Sequence, residues 1–292
     1  MNETSKRALL YGSAVLIISG IGVLWSRRVT DADVVTLLSS AQVQIQMAYA
    51  IPATDKLGQR LSARQDLIDG AEQSLTTVER IEPGLAGVAE GLALVHMLRG
   101  DFAASAASYH EAQRRADCKP DQRDVLAFNE ARMLAKAGKP EAALQCFASN
   151  AAVIDARYAH HRALEEAGLL QGLGRTTEAA GRVEHVLQDA AAPAAVVLQA
   201  GLAYVALGLD DKAVSALARA SHEAPIAYYH LAQLKLQRGE VDSSMQLLER
   251  AKMAQPTEVG RLLRDEAAAW SAVAKDARFQ QLAESAPATP GR

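Results

Sequence analysis

Apolar residues recur through most of the chain at three- and four-residue spacing, as on amphipathic helices, and glycines punctuate the pattern at near-regular distances. Gly100, Gly138, Gly174, Gly208 and Gly239 each end one such segment and precede another, as in LRGDFAAS, AKAGKPEAA and ALGLDDKAV. Their separations of 38, 36, 34 and 31 residues scatter about a single repeat length. Glycine suits this place because the left-handed backbone angle that closes a helix is costly for a residue with a Cβ atom. Seven residues before each glycine stand Ala93, Ala131, Ala167, Gly201 and Ala232, and five after it stand Ser105, Ala143, Ala179, Ala213 and Ser244. All are small, which lets two helices cross closely. Nine residues after the glycine come Tyr109, Phe147, Val183, Leu217 and Leu248, large apolar groups that fill the space toward the next unit. The pattern predicts an all-α chain built from a two-helix unit repeated five times.

The ends read differently. Residues 8–25 (ALLYGSAVLIISGIGVLW) form an uncharged run between Lys6–Arg7 and Arg27–Arg28, with Tyr11 and Trp25 near its two ends. About 20 apolar residues in a helix span a bilayer core, so this run predicts one transmembrane helix behind a short tail, 1–7. A cleaved signal peptide is the rival reading; the run continues through Val23, Leu24 and Trp25, past the small residues at which cleavage would fall. Lys6, Arg7 and the amino terminus slightly outweigh Arg27 and Arg28, which favours a cytoplasmic N-terminus and a repeat domain on the periplasmic side of a bacterial inner membrane. Residues 31–58 read as a helical connector ended near Pro52, 59–256 as the repeat domain, 257–283 as a capping helix, and 284–292 (ending SAPATPGR) as a disordered tail. A weaker sixth unit is placed at the start of the repeat domain. Ala71, Leu75, Val78 and Pro83 stand at second-helix offsets there, although Gln59 stands where a small residue is expected.

Composition narrows the partners. Aromatic residues make up 4% of the chain, and 31 basic against 34 acidic residues are scattered without the basic stripe that phosphate backbones require, so nucleic acid is excluded as a partner. The two cysteines, Cys118 and Cys146, form no CxxC pair and read as free thiols. No Walker loop, GxGxxG turn, HExxH helix or GxSxG elbow occurs, so neither a cofactor, a catalytic residue, a metal site nor a small-molecule substrate is expected. His160, His161 and Glu165 are the one tempting group, since His161 and Glu165 lie four apart on a helix face; a third ligand is not evident.

The repeat length and its offsets resemble those of tetratricopeptide repeats, helix-turn-helix units of about 34 residues. The copy from Val197 to Pro225, with Gly201, Tyr204, Ala213, Leu217 and Ala220, carries the resemblance best, and Ala232, Leu248, Ala251 and Pro256 repeat it. The family's tryptophan is missing throughout, and the copies beginning near Leu85 and Asp124 lack the closing proline. The resemblance implies an α-solenoid of about five to six repeats. It further implies a concave face, lined by the first helices, that binds extended peptides or partner helices. Counted from the turn glycines, that face comprises Phe128, Asn129, Arg132 and Lys136, then His161, Leu164 and Glu165, then Leu198, Gln199 and Leu202, then Tyr229, His230 and Gln233. Of the residues with which one subfamily clamps C-terminal carboxylates only Asn129 is matched, while Leu94 and Glu165 stand where asparagine and arginine are wanted. The sequence therefore points to a membrane-anchored, non-enzymatic scaffold that assembles or stabilises a membrane or envelope complex. The alternatives are a permanent structural subunit of such a complex and a metal-dependent protein using His160, His161 and Glu165.

Overall fold

A computed structural model describes residues 32–53, 58–151 and 156–284. The proposed transmembrane segment, 8–25, and nearly all of the C-terminal tail lie outside the described residues. No described helix is long and apolar enough to cross a membrane. The described residues contain fourteen α-helices, one 3-10 helix and no strand. They fall into two compact units, 32–165 and 166–284.

In the first unit lie α1 (Ala32–Ala50), α2 (Gly58–Ile81), α3 (Ala86–Arg99), α4 (Phe102–Arg114), α5 (Pro120–Lys136), α6 (Pro140–Ser149) and the first part of α7 (Ala156–Gly172). The rest of α7, α8 (Thr176–Gln188), α9 (Ala194–Ala206), α10 (Asp210–Ala220), α11 (Ile226–Gln237), α12 (Val241–Ala254), α13 (Pro256–Asp265), the 3-10 helix Ala267–Val273 and α14 (Ala277–Glu284) form the second. Helices pack on their chain neighbours: α1 on α2, α3 on α4 and α5 on α6 in one unit, α9 on α10 and α11 on α12 in the other.

The five turn glycines recur with one geometry. Their φ angles run from 72 to 83°. In every case the amide of the residue after the glycine reaches the carbonyl four residues before the glycine, as in Asp101 N to His96 O at 2.9 Å and Leu209 N to Tyr204 O at 2.9 Å. This double-bonded helix end satisfies carbonyls that would otherwise face the next helix unpaired. All fifteen positions at the three offsets are buried. The small-residue offsets do meet across the hairpin: Ser105 Oγ donates to Ala93 O at 2.7 Å and Ser244 Oγ to Ala232 O at 2.8 Å. In α9 the large residue closes the gap, since a Cβ added to Gly201 would lie 2.8 Å from Leu217 Cγ.

Tertiary bonds join one repeat to the next. The Asp117 carboxylate, in the loop after α4, accepts the Ala86 amide at 2.9 Å and so caps α3. Arg115 in the same loop donates to Leu85 O at 2.9 Å and pairs with Glu79 at 2.7 Å. In the second unit Arg219 spans the carbonyls of Leu187 and Asp189 at 2.8 and 2.7 Å, behind the C-terminus of α8.

At both ends the structure departs from the sequence reading. Residues 31–58 were expected to join the repeats to a membrane helix, yet α1 buries Val34, Leu38, Ala41, Ile45 and Ala48 against its neighbours and forms a hairpin with α2. The Ala71–Leu75–Val78 face therefore packs on α1, with Leu75 also over Gly91 of α3, and not on a helix starting near Gln59, which is exposed at the beginning of α2. Beyond Pro256 the single capping helix is three pieces, α13, the 3-10 turn and α14, which close over Trp270.

Candidate functional site

The expected groove residues divide between the two units and sit at different depths. In the first unit, α5 carries Phe128, Asn129 and Arg132, which are 3%, 6% and 5% exposed. They cannot line an open surface, and their assignment to one is corrected here. Phe128 packs its ring 5.7 Å from that of Phe147 and 5.8 Å from that of Tyr158. Arg132 lies with its guanidinium carbon 5.9 Å from the Phe128 ring centre and holds Glu165 through Nε at 3.2 Å, while its Nη1 has no hydrogen-bond partner. One turn on, Lys136 is exposed and places Nζ 5.5 Å from the centre of the Phe102 ring. Partial burial and then the Arg132 charge hold its ammonium below the usual lysine range, against the opposing pull of Glu165.

His161 is half-buried beside these groups. Burial first, and then the neighbouring His160 and Arg132, keep its imidazole less basic than usual. Glu165 is engaged by an arginine, which leaves the His160, His161 and Glu165 set without a free carboxylate. Among the described residues no three histidine, cysteine, aspartate or glutamate side chains converge as ligands would. Neither Cys118 nor Cys146 is bridged.

In the second unit Leu198, Gln199 and Leu202 on α9 are partly exposed. Tyr229 is not: it is 0% exposed, and this assignment is corrected too. Its hydroxyl accepts from Trp270 Nε1 at 3.1 Å and donates to Glu266 Oε2 at 3.1 Å. Gln233 Nε2 completes the network with bonds to Glu266 at 2.7 Å and to the Tyr229 hydroxyl at 3.2 Å. Tyr229 and Gln233 thus join α11 to the closing 3-10 helix. His230 is half-buried, its ring edge-on to Tyr229 at 5.4 Å, and burial pushes it down to about 4, so it is neutral at pH 7.

One residue was missed. Glu90, in α3, is 7% exposed and has no hydrogen bond or ion pair among the described residues. Glu90 lines a small depression of about 10 Å³, room for one water molecule, walled by Ala41, Gln42 and Ile45 of α1, Leu75 of α2 and Gly87, Gly91 and Leu94 of α3. Burial in these apolar walls pushes it up to about 7. The signal was available: Glu90 is the one charged residue in the stretch AGVAEGLALV.

No family model matches the chain, and no curated protein matches its sequence. Solved structures do resemble its fold. Yeast Tom70 aligns with a TM-score of 0.50 at 13% identity over 87% of this chain and 56% of its own. A tetratricopeptide repeat protein from Parabacteroides merdae aligns at 0.48 and 17% identity, over 84% of this chain and 98% of its own. The Cut9–Hcn1 hetero-tetramer of the APC/C aligns at 0.45 and 13% identity, over 90% of this chain and 50% of its own. The recurrent glycine turn, the buried small-residue crossings and the likeness to Tom70 lead to one conclusion about the fold: the described residues form an all-α run of repeated helix-turn-helix hairpins.

Proposed function

We propose that this chain is a non-enzymatic, membrane-anchored scaffold whose first helices bind other proteins, in the assembly or stabilisation of a membrane or envelope complex. The observation that carries the reading is the recurrence of one hairpin. Its packed positions are the same in every copy, while the first-helix positions beside them differ in chemistry from copy to copy. Leu198, Gln199 and Leu202 in one unit and His161 in the other keep partial exposure on such helices, and Lys136 is exposed. Surfaces of that kind suit extended partners better than one small ligand. The apolar run at 8–25 supplies the anchor in this reading, and the slight excess of cations before it favours a cytoplasmic N-terminus with the repeats on the periplasmic side of a bacterial inner membrane.

Gentle detergent extraction after in-cell crosslinking, with identification of the co-purifying chains, tests the scaffold. Leu202→Glu is expected to fold as the parent does and to lose those chains. A fold-competent Leu202→Glu that keeps every partner would move the binding surface elsewhere. The anchor is tested apart: the protein should stay with membranes through carbonate and high-salt washing, and a soluble mature chain beginning after Gly22 would sink it.

A further inference from the structure

We infer that the outer face of α1 lies against the lipid headgroups of the bilayer that holds residues 8–25; the inference rests on the anchor reading above. Helix α1 buries Val34, Leu38, Ala41, Ile45 and Ala48. Its opposite side leaves Val35, Val43, Met47 and Tyr49 exposed, Val43 and Met47 at 53% each. These are four of the seven large apolar side chains exposed among the described residues, so the exposure is gathered on one helix and not scattered. Two more, Leu61 and Ile81, stand at the two ends of α2, the other half of the same hairpin. Thr36, Ser39, Ser40 and Gln46 fill the rest of the α1 face with hydroxyl and amide groups. No residue between Asp33 and Asp55 carries a charge.

Two observations choose lipid as the occupant. The first is chain length. Six residues, 26–31, separate the apolar run from α1, and six residues reach about 20 Å at most. The headgroup layer lies immediately beyond the hydrocarbon that the run would span, so α1 begins at or beside it. The second is charge. On α2, Arg60, Asp66, Asp69 and Arg80 are exposed, as on a face turned to water. On α1 nothing charged follows Asp33, in its first turn. An uncharged face gives up no ion hydration at a membrane surface; its apolar groups enter the acyl boundary, and its hydroxyl and amide groups bond in the headgroup layer. Tyr49, with an apolar ring and a polar tip, suits the same depth.

The test uses the full chain in lipid nanodiscs, at one and at two chains per disc. Cys118 and Cys146 are replaced by alanine, and a single nitroxide is carried at Val43→Cys, at Met47→Cys or, as a water-facing control, at Glu141→Cys in the exposed first turn of α6. Collision with oxygen, which concentrates in lipid, is compared with collision with nickel-EDDA, which stays in water. The oxygen-to-nickel ratio should be about threefold or more higher at both α1 sites than at residue 141, on chains whose helical melts match the parent. If the cysteine-free chain melts early, Met47→Trp and Glu141→Trp in a Trp25→Phe chain, read by quenching from brominated lipid, separate the same outcomes. Equal ratios at 43, 47 and 141 overturn the inference, because the face then meets water. Low collision with both reagents overturns it as well: at both loadings the cover is this chain's own residues, and at two chains per disc alone, with water-like rates at one, it is a second copy. A chain that leaves the discs refutes the anchor and this inference together, whereas one that stays with water-like rates at 43 and 47 refutes this inference alone.

Discussion

Two helical glycines with different surroundings test the packing account most directly. In α9 a Cβ added at Gly201 would meet Leu217 Cδ2 and Cγ at 2.8 Å and the Leu217 backbone nitrogen at 3.3 Å. In α3 a Cβ at Gly91 would meet only the end of a side chain, Leu75 Cδ2 and Cδ1 at 2.8 and 2.9 Å. Alanine in place of glycine inside a helix gains about 1 kcal/mol from propensity in both cases. At Gly201 the obstacle is a branch carbon and the backbone of α10, so one helix must move or Leu217 must leave its rotamer, at about 1–3 kcal/mol. At Gly91 the close atoms are only the free methyl ends of Leu75, which can give way at less cost than a branch carbon and backbone. Gly201→Ala is expected to destabilise by up to about 2 kcal/mol, while Gly91→Ala should be neutral or stabilising by up to about 1 kcal/mol. Thermal melts followed by circular dichroism at 222 nm should place the variants several degrees apart, at about 2–4 °C per kcal/mol. Equal shifts, or a Gly201→Ala more stable than the parent, would refute the assignment of Gly201 to the tight crossing.

The remaining predictions concern charge and the closing end of the chain. The folded protein binds the Glu90 proton more tightly than the unfolded chain, so this residue's contribution to stability falls as pH rises from 4.5 to about 7 and then levels, by about 3 kcal/mol in all. In melts at pH 5 and pH 8, Glu90→Gln should gain on the parent at the higher pH; parallel behaviour would show Glu90 to be solvated. Glu165→Ala should cost about 1–2 kcal/mol because it strands the buried Arg132 charge, whereas Arg132→Met, which removes that charge, should be neutral or stabilising in the same melts. Trp270→Phe should cost about 1 kcal/mol through the lost bond to the Tyr229 hydroxyl. Unchanged near-ultraviolet signal and melting temperature in Trp270→Phe would show that network to be slack.

What the sequence disclosed depended on how local the constraint was. A left-handed helix end accepts little but glycine, and a close crossing accepts little but alanine, serine or glycine, so the five turns and the positions beside them could be read directly. The first hairpin could not. Gly70 sits inside the continuous α2 and marks no turn: its missing Cβ leaves room for Gln44 of α1, whose Nε2 would lie 2.6 Å from it. Such a glycine is spelled like a turn glycine, and only the neighbouring helix tells them apart. Depth was equally hidden at the groove. Register gives the direction in which Arg132 and Tyr229 point, but Phe128 and Glu165 cover the one and Trp270 and Glu266 the other from elements 33 or more residues away for Arg132–Glu165 and Tyr229–Glu266. Leu198 and Leu202 have no such cover, so register and exposure agree there.

The hydrogen bonds that cross a hairpin, Ser105 to Ala93 and Ser244 to Ala232, close over only 12 residues of chain. Loops that short form with a small entropy loss, and helical hairpins assemble on microsecond timescales. Each hairpin can therefore reach its final pairing without help from the residues that follow it. The same locality grades resistance to opening: a hairpin held on two sides exchanges its amides last, and one held on a single side exchanges them first. The order of each pair of helices thus rests first on its own short-range bonds and then on those to its neighbours.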